Sequence, residues 1–267
     1  MPESIRLVFT LSAVGLSISM LIATFEFIAL RREFSDGEFS WRILRTSGFS
    51  SVKNILFGKR GFTAILIIRL LCALLLVAGA ARSDRWICIA ALAGALVTGM
   101  LIAYRCRFGL EGSDQMTAIV TAGLLVVLVR PDSAVWPALG FGFIAAQSCL
   151  SYFVSGAAKL LSPVWRRGRA LYAIVNTETY GAPAPASMLR AAPMLSVAAC
   201  WTVIVFEVTF PLSVIAPVKI TMLILFTGAL FHVGNALIMG LNAFFWSFVA
   251  SYPAIWYCRG ALRGIFR

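Results

Sequence analysis

Charge is scarce in this chain. Only 13% of its 267 residues are Asp, Glu, Lys or Arg, where a soluble globular protein carries about 25%. That shortage excludes a water-soluble domain and a charged disordered tail. There is one histidine, too few to make a metal centre by itself. Cys72, Cys88, Cys106, Cys149, Cys200 and Cys258 lie inside or at the edges of apolar segments, and no CxxC pair occurs. The pattern excludes zinc-type and redox-dithiol chemistry and leaves thiols that pack as small hydrophobes. Period-two alternation is missing as well, so barrel strands are not indicated.

What the chain has is hydrophobic residues, 60% of its length. A bilayer core about 30 Å thick needs roughly 20 apolar residues per helical crossing, so this length accommodates about seven or eight crossings with short loops. The expected fold is an all-α polytopic transmembrane bundle with interfacial helices. It forms one domain over 1–267 and resides as a multi-pass protein in the cell membrane. The net charge of +12 comes from 23 Lys and Arg against 11 Asp and Glu. With no aromatic-basic motif beside it, this excess marks loops facing anionic lipid and no nucleic acid.

The first apolar run, Leu7 to Leu30, is too long for a signal-peptide core and ends at Arg31-Arg32 without a cleavage site, so it reads as a retained crossing. Arg31–Gly61, with Trp41, Phe49 and Phe57 among basic residues, reads as an interfacial segment. Further crossings are predicted at Phe62–Ala80, Trp86–Tyr104, Met116–Val129, Ala134–Leu161, Ala192–Ala216 and Ile220–Gly240. Leu241–Cys258 reads as an eighth crossing or as an interfacial continuation of the seventh. Ser162–Pro193 reads as a loop with a turn at Gly181-Ala182-Pro183-Ala184-Pro185. The positive-inside rule places Arg31–Gly61 and the loop bearing Arg166, Arg167, Arg169 and Arg190 in the cytoplasm, with the N-terminus outside.

Ionisable groups within crossings cost several kcal/mol at the bilayer centre and face a bundle interior or a cavity. Five stand out: Glu26, Arg69, Lys159, Glu207 and His232. Ser148, Ser151, Tyr152, Ser155 and Lys159 fall within about a 100° arc of a helix. Gly156 and Ala157 beside them admit a close neighbouring helix. The stripe leads either to a functional lysine or to one that snorkels to the headgroups. Glu207 stands four residues before Pro211, where the missing N–H predicts a kink. Its carboxyl binds a proton or pairs with a cation such as Arg69. Gly228, His232, Asn235, Met239 and Asn242 share a helical face. The histidine there is a helix–helix hydrogen-bonding group or a catalytic one. Phe244-Phe245-Trp246, with Phe248 and Tyr252, reads as an interface belt or a packing surface.

Two stretches carry more than composition. One is Tyr152-Phe153-Val154-Ser155-Gly156-Ala157-Ala158-Lys159-Leu160, followed by Trp165, Gly168 and Ala170-Leu171-Tyr172. The other is Phe231-His232-Val233-Gly234-Asn235, followed by Met239-Gly240-Leu241 and Trp246. Together they resemble the horizontally transferred transmembrane domain family. It includes the vitamin K-dependent gamma-carboxylases and bacterial membrane proteins that help mature the sporulation-delaying peptide toxin. The turn Glu111-Gly112-Ser113-Asp114-Gln115 also resembles the bacterial members.

The resemblance implies a base at Lys159, with His232 as the second catalytic group. It implies a substrate lined by Asn235, Ser155 and Tyr152, to which the intramembrane carboxyl of Glu207 is added from its own position, a bilayer-soluble quinone or hydroquinone as cofactor, and a small peptide substrate with a partner protein. A lysine in a water-poor pocket offers a neutral amine for that role. Two features depart from the carboxylases. Few residues follow Cys258, where those enzymes have a large substrate-holding domain. Their base lysine faces the lumen, opposite to the side indicated by the loop charges. The alternative reading is a non-catalytic membrane scaffold or toxin-partner subunit.

Overall fold

The computed structural model describes residues 1–30, 32, 33, 55–106 and 112–265, with side chains to residue 261. Most of Arg31–Gly61, including Trp41 and Phe49, and Glu111 of the turn lie outside the described residues. Every described element is helical. Seven helices are long and apolar enough to cross a membrane, and the protein is an integral, multi-pass membrane protein whose surroundings are a lipid bilayer. The chain divides into two compact units, Met1–Gly140 and Phe141–Arg267.

The first unit is built from α1 (Glu3–Ala29), α2 (Lys59–Arg82), α3 (Arg85–Arg105) and α4 (Gly112–Val129), with the start of α5 (Val135–Leu161). Successive helices pack on one another, and α4 also packs on α1. The α2–α3 link is two residues long because Ser83 adopts a left-handed conformation (φ 56°) and the Asp84 side chain accepts from the amides of Trp86 and Ile87. This is a side-chain cap on orphan helix donors. The Met1 amine bonds Asp132, and Arg85 donates to the Val129 carbonyl at 2.7 Å. The N-terminus, the α2–α3 link and the α4–α5 link therefore share one end, as an up-and-down arrangement requires. Phe57 is buried with Phe62, Ile65 and Ile102 and stacks on Tyr104 at 5.1 Å.

The second unit continues α5 and adds α6 (Pro163–Arg166), α7 (Ala170–Val175), α8 (Pro183–Ala191), α9 (Pro193–Thr209), a 3-10 helix (Phe210–Val214), α10 (Val218–Met239), α11 (Asn242–Val249) and α12 (Tyr252–Ile265). The expected loop over Ser162–Pro193 is thus largely helical. Pro163, Pro183 and Pro193 each stand in the first turn of a helix, where the absent N–H is no loss and φ is already set. The turn ends at Ala182, and Pro183 starts α8. The kink expected near Pro211 takes the form of a change from α-helix at Thr209 to 3-10 helix at Phe210.

Leu241–Cys258 is not one continuous crossing. It forms α11 and α12, of 8 and 14 residues, joined at Ala250-Ser251. Phe244 of α11 lies against His232, 5.3 Å between ring centroids, and Arg259 of α12 donates to the Ala216 carbonyl before α10 at 3.1 Å. The pair accordingly runs back along much of α10, whose 22 residues span about 33 Å. All six cysteines are free; Cys258 is half-buried and the other five are buried.

Candidate functional site

The polar stripe of α5 faces the interior of the second unit. Ser148 Oγ lies 2.9 Å from Ser251 Oγ at the α11–α12 break, and Tyr152 Oη lies 2.5 Å from His232 Nε2 and 2.9 Å from Tyr252 Oη. Further along, Lys159 Nζ donates to Ser155 Oγ and to both oxygens of Glu207, at 2.9 and 2.6 Å. Only Ser151 leaves the pattern, returning its hydroxyl to the Gln147 carbonyl of its own helix.

Helix packing sets the lysine pair. At Gly156 a Cβ would stand 2.7 Å from the Val208 amide and 2.9 Å from Glu207 Cβ, so only glycine lets α5 and α9 approach this closely. The approach brings Glu207 under Lys159, with side-chain exposures of 5% and 18%. The indole of Trp165, 5.1 Å from Nζ, covers the ammonium from α6, a cation–π placement. Gly168 has φ 73°, and a Cβ there would stand 2.6 Å from Val197 Cα. Its carbonyl accepts from Ser196 Oγ, and Trp201 Nε1 donates to the Arg166 carbonyl at 3.2 Å. Ser155, Gly156, Lys159 and Trp165, all in the first resemblance stretch, thus gather around Glu207, while Gly168 of the same stretch packs on Val197 nearer the start of α9.

Glu207 takes its cation from Lys159. Arg69, named from sequence as such a partner, belongs to the first unit, where Nη1 donates to the Ala95 carbonyl at 3.3 Å. Glu26 is exposed near the end of α1.

The surroundings of His232 are aromatic. Its ring stacks on Phe248 at 4.6 Å and lies 5.3 Å from Phe244, and Tyr152 stacks on Phe210 at 3.7 Å. The aromatic run after α10 is therefore in part a packing surface, with Phe244, Phe248 and Tyr252 turned onto α5 and α10. His232 is 1% exposed, and Nδ1 has no hydrogen-bond partner among the described residues. Buried polar atoms of this kind are rare in packed interiors. Asn235, one turn on and half-buried, makes no side-chain hydrogen bond among the described residues.

Tyr252 and Ser251 were not singled out from sequence as site residues. Their signal was the Ser251-Tyr252-Pro253 step, which interrupts the last apolar run with a hydroxyl pair and a proline in the first turn of α12. Tyr252 is buried, and its hydroxyl shares a hydrogen bond with that of Tyr152.

Chemically, the site holds an ammonium–carboxylate pair and a tyrosine–histidine–tyrosine cluster on successive turns of one helix. Comparison with protein-family models, with curated proteins and with solved structures finds no match to this chain.

Proposed function

We propose that the protein is a membrane enzyme of the horizontally transferred transmembrane domain type, acting in the cell membrane on a small peptide, alone or with a partner protein. The observation that carries this reading is the Lys159–Glu207 pair, held at 2.6 Å on the helix that also presents Tyr152 to His232. Intramembrane charges of this kind are retained at a cost and mark function. A proton passed from Lys159 to Glu207 leaves the amine free to take another from an acidic O–H, so the pair serves as the base. Ser155, which accepts from Nζ, keeps the amine aimed along the α5 stripe.

The residues present fit a quinone in one respect. His232 Nδ1 is a buried polar atom without a partner, flanked by the Phe244 and Phe248 rings. Such an atom suits a quinone oxygen, and such rings suit a quinone face. Tyr152 and His232 would hold the group, with Asn235 one turn further on. A bound hydroquinone supplies an acidic O–H and reducing equivalents. The peptide-maturing activity rests on the resemblance of the two stretches alone.

A specific observation favours the scaffold reading. The three N–H groups of the Lys159 ammonium have three acceptors, Ser155 Oγ and the two Glu207 oxygens, so the pair also serves as a pin between α5 and α9. Joint replacement by Lys159→Met and Glu207→Leu separates the two readings, because an apolar pair can keep the packing while removing the proton chemistry. Mass spectrometry of peptides and quinones from cells expressing either form is the measurement. An enzyme yields a product present with the wild type and lost or shifted in mass with the double variant. Identical profiles from a double variant that inserts normally leave the scaffold.

A further inference from the structure

One buried charge has no place in the site above. Arg69, at mid-length on α2 and 5% exposed, lies within the first unit. Among the described residues its one hydrogen bond is the donation to Ala95 at 3.3 Å, and it makes no ion pair. A guanidinium carries five N–H donors and stays charged. Arg69 thus has donors to spare where water is scarce.

Those donors line a cavity of about 220 Å³ bounded by Phe27, Gly99, Met100, Ala118 and Thr121 as well as Arg69. Its wall is mainly apolar. Gly99 makes room for the charged head: a Cβ there would stand 3.2 Å from Arg69 Nη1. Met100 and Ala118 are exposed on helices read as spans, so the cavity meets the lipid-facing surface. Asp114, on the same cavity, acts on Arg69 from a distance without pairing with it. The volume is below the range of about 300–1,000 Å³ typical of sites that enclose a drug-sized molecule. It suits a small head with the first part of a chain.

We propose that this cavity binds the carboxylate of a single-chain fatty acid, paired with Arg69, with the chain leaving past Met100 and Ala118 into the bilayer. A carboxylate accepts two parallel hydrogen bonds from a guanidinium and neutralises a charge that is costly at this depth. The bilayer delivers the ligand from the side. This site is independent of Lys159 and His232.

The test uses the whole protein in nanodiscs and a nitroxide-labelled stearic acid, whose immobilised fraction is read by electron paramagnetic resonance at a pH where the free acid is ionised. The methyl ester of the same probe should bind at least tenfold more weakly than the acid. Arg69→Gln removes the charge, and Ala118→Phe fills the cavity with Arg69 unchanged. At least one of these variants, monodisperse and helical, should lose tenfold or more. Equal binding of acid and ester, or wild-type affinity in both variants, overturns the proposal.

Discussion

The Lys159 amine and the Glu207 carboxylate are 48 positions apart in sequence and form a two-point contact, 2.9 and 2.6 Å, across the α5–α9 interface. The contact exists because Gly156 lets the two helices close to backbone distance.

Removing one member of that pair should be worse than removing both. Lys159→Ala leaves the Glu207 carboxylate buried without its cation and should cost about 3–5 kcal/mol, whereas Lys159→Met with Glu207→Leu should lie near wild type. Equilibrium unfolding in mixed micelles measures both. If the single variant is as stable as the double, the pair does not hold the interface.

Gly156→Ala should destabilise, although alanine is the better helix former. The added methyl meets the Val208 amide at 2.7 Å, and overpacking of this kind costs about 1–3 kcal/mol, more than the roughly 1 kcal/mol that alanine gains in an open helix. Thermal unfolding in detergent gives the sign. A rise in the midpoint would mean that α5 and α9 are further apart than described.

Tyr152→Phe removes the hydroxyl that links His232 to Tyr252. Unsatisfied buried partners cost about 1–3 kcal/mol. In a cycle with His232→Phe the two losses should be non-additive by at least about 0.5 kcal/mol. Additive losses would show that the two rings do not share a hydrogen bond.

Cys106 caps α3 and is 8% exposed. Burial pushes its thiol up from 9.0 to about 11, with Arg105 opposing and Asp114 adding. Folding therefore favours the neutral thiol. The stability this contributes is intact below pH 9 and is lost as the pH rises from about 9 to 11, because the unfolded chain ionises first. Stability measured across that window should fall less steeply in Cys106→Ser, and iodoacetamide should label folded Cys106 slowly at pH 8. An unchanged slope would place the thiol in contact with water.

Loop charge gives a topology test. Arg166, Arg167, Arg169 and Arg190 should hold 162–193 in the cytoplasm. A cysteine placed at exposed Ser187 should react with a membrane-impermeant maleimide only after lysis, with wild-type labelling subtracted. Reaction in intact cells would reverse the orientation to that of the carboxylases.

Much of the fold was legible because each crossing is a local property. The run from Phe62 to Ala80 lies within the Lys59–Arg82 helix, and Ile220–Gly240 matches Val218–Met239 to within two residues. Ser162–Pro193 was harder to read, since its prolines look like turn residues until three of them are found starting helices. In the candidate site, the inward stripe on α5 was legible from spacing. Of its partners, Glu207 and His232 stood out as ionisable groups within crossings, whereas Tyr252 reads as an interface aromatic in any local window.

From residue order alone came the membrane, the helices and the side of α5 that avoids lipid. About 20 apolar residues satisfy a bilayer wherever they occur, and a helix meets its own backbone hydrogen bonds. Packing alone decided that Glu207 answers Lys159 while Arg69 lines a separate cavity, and that Tyr152 joins His232 to Tyr252. Those choices depend on how far each helix is rotated and how closely two backbones approach, which no single segment specifies.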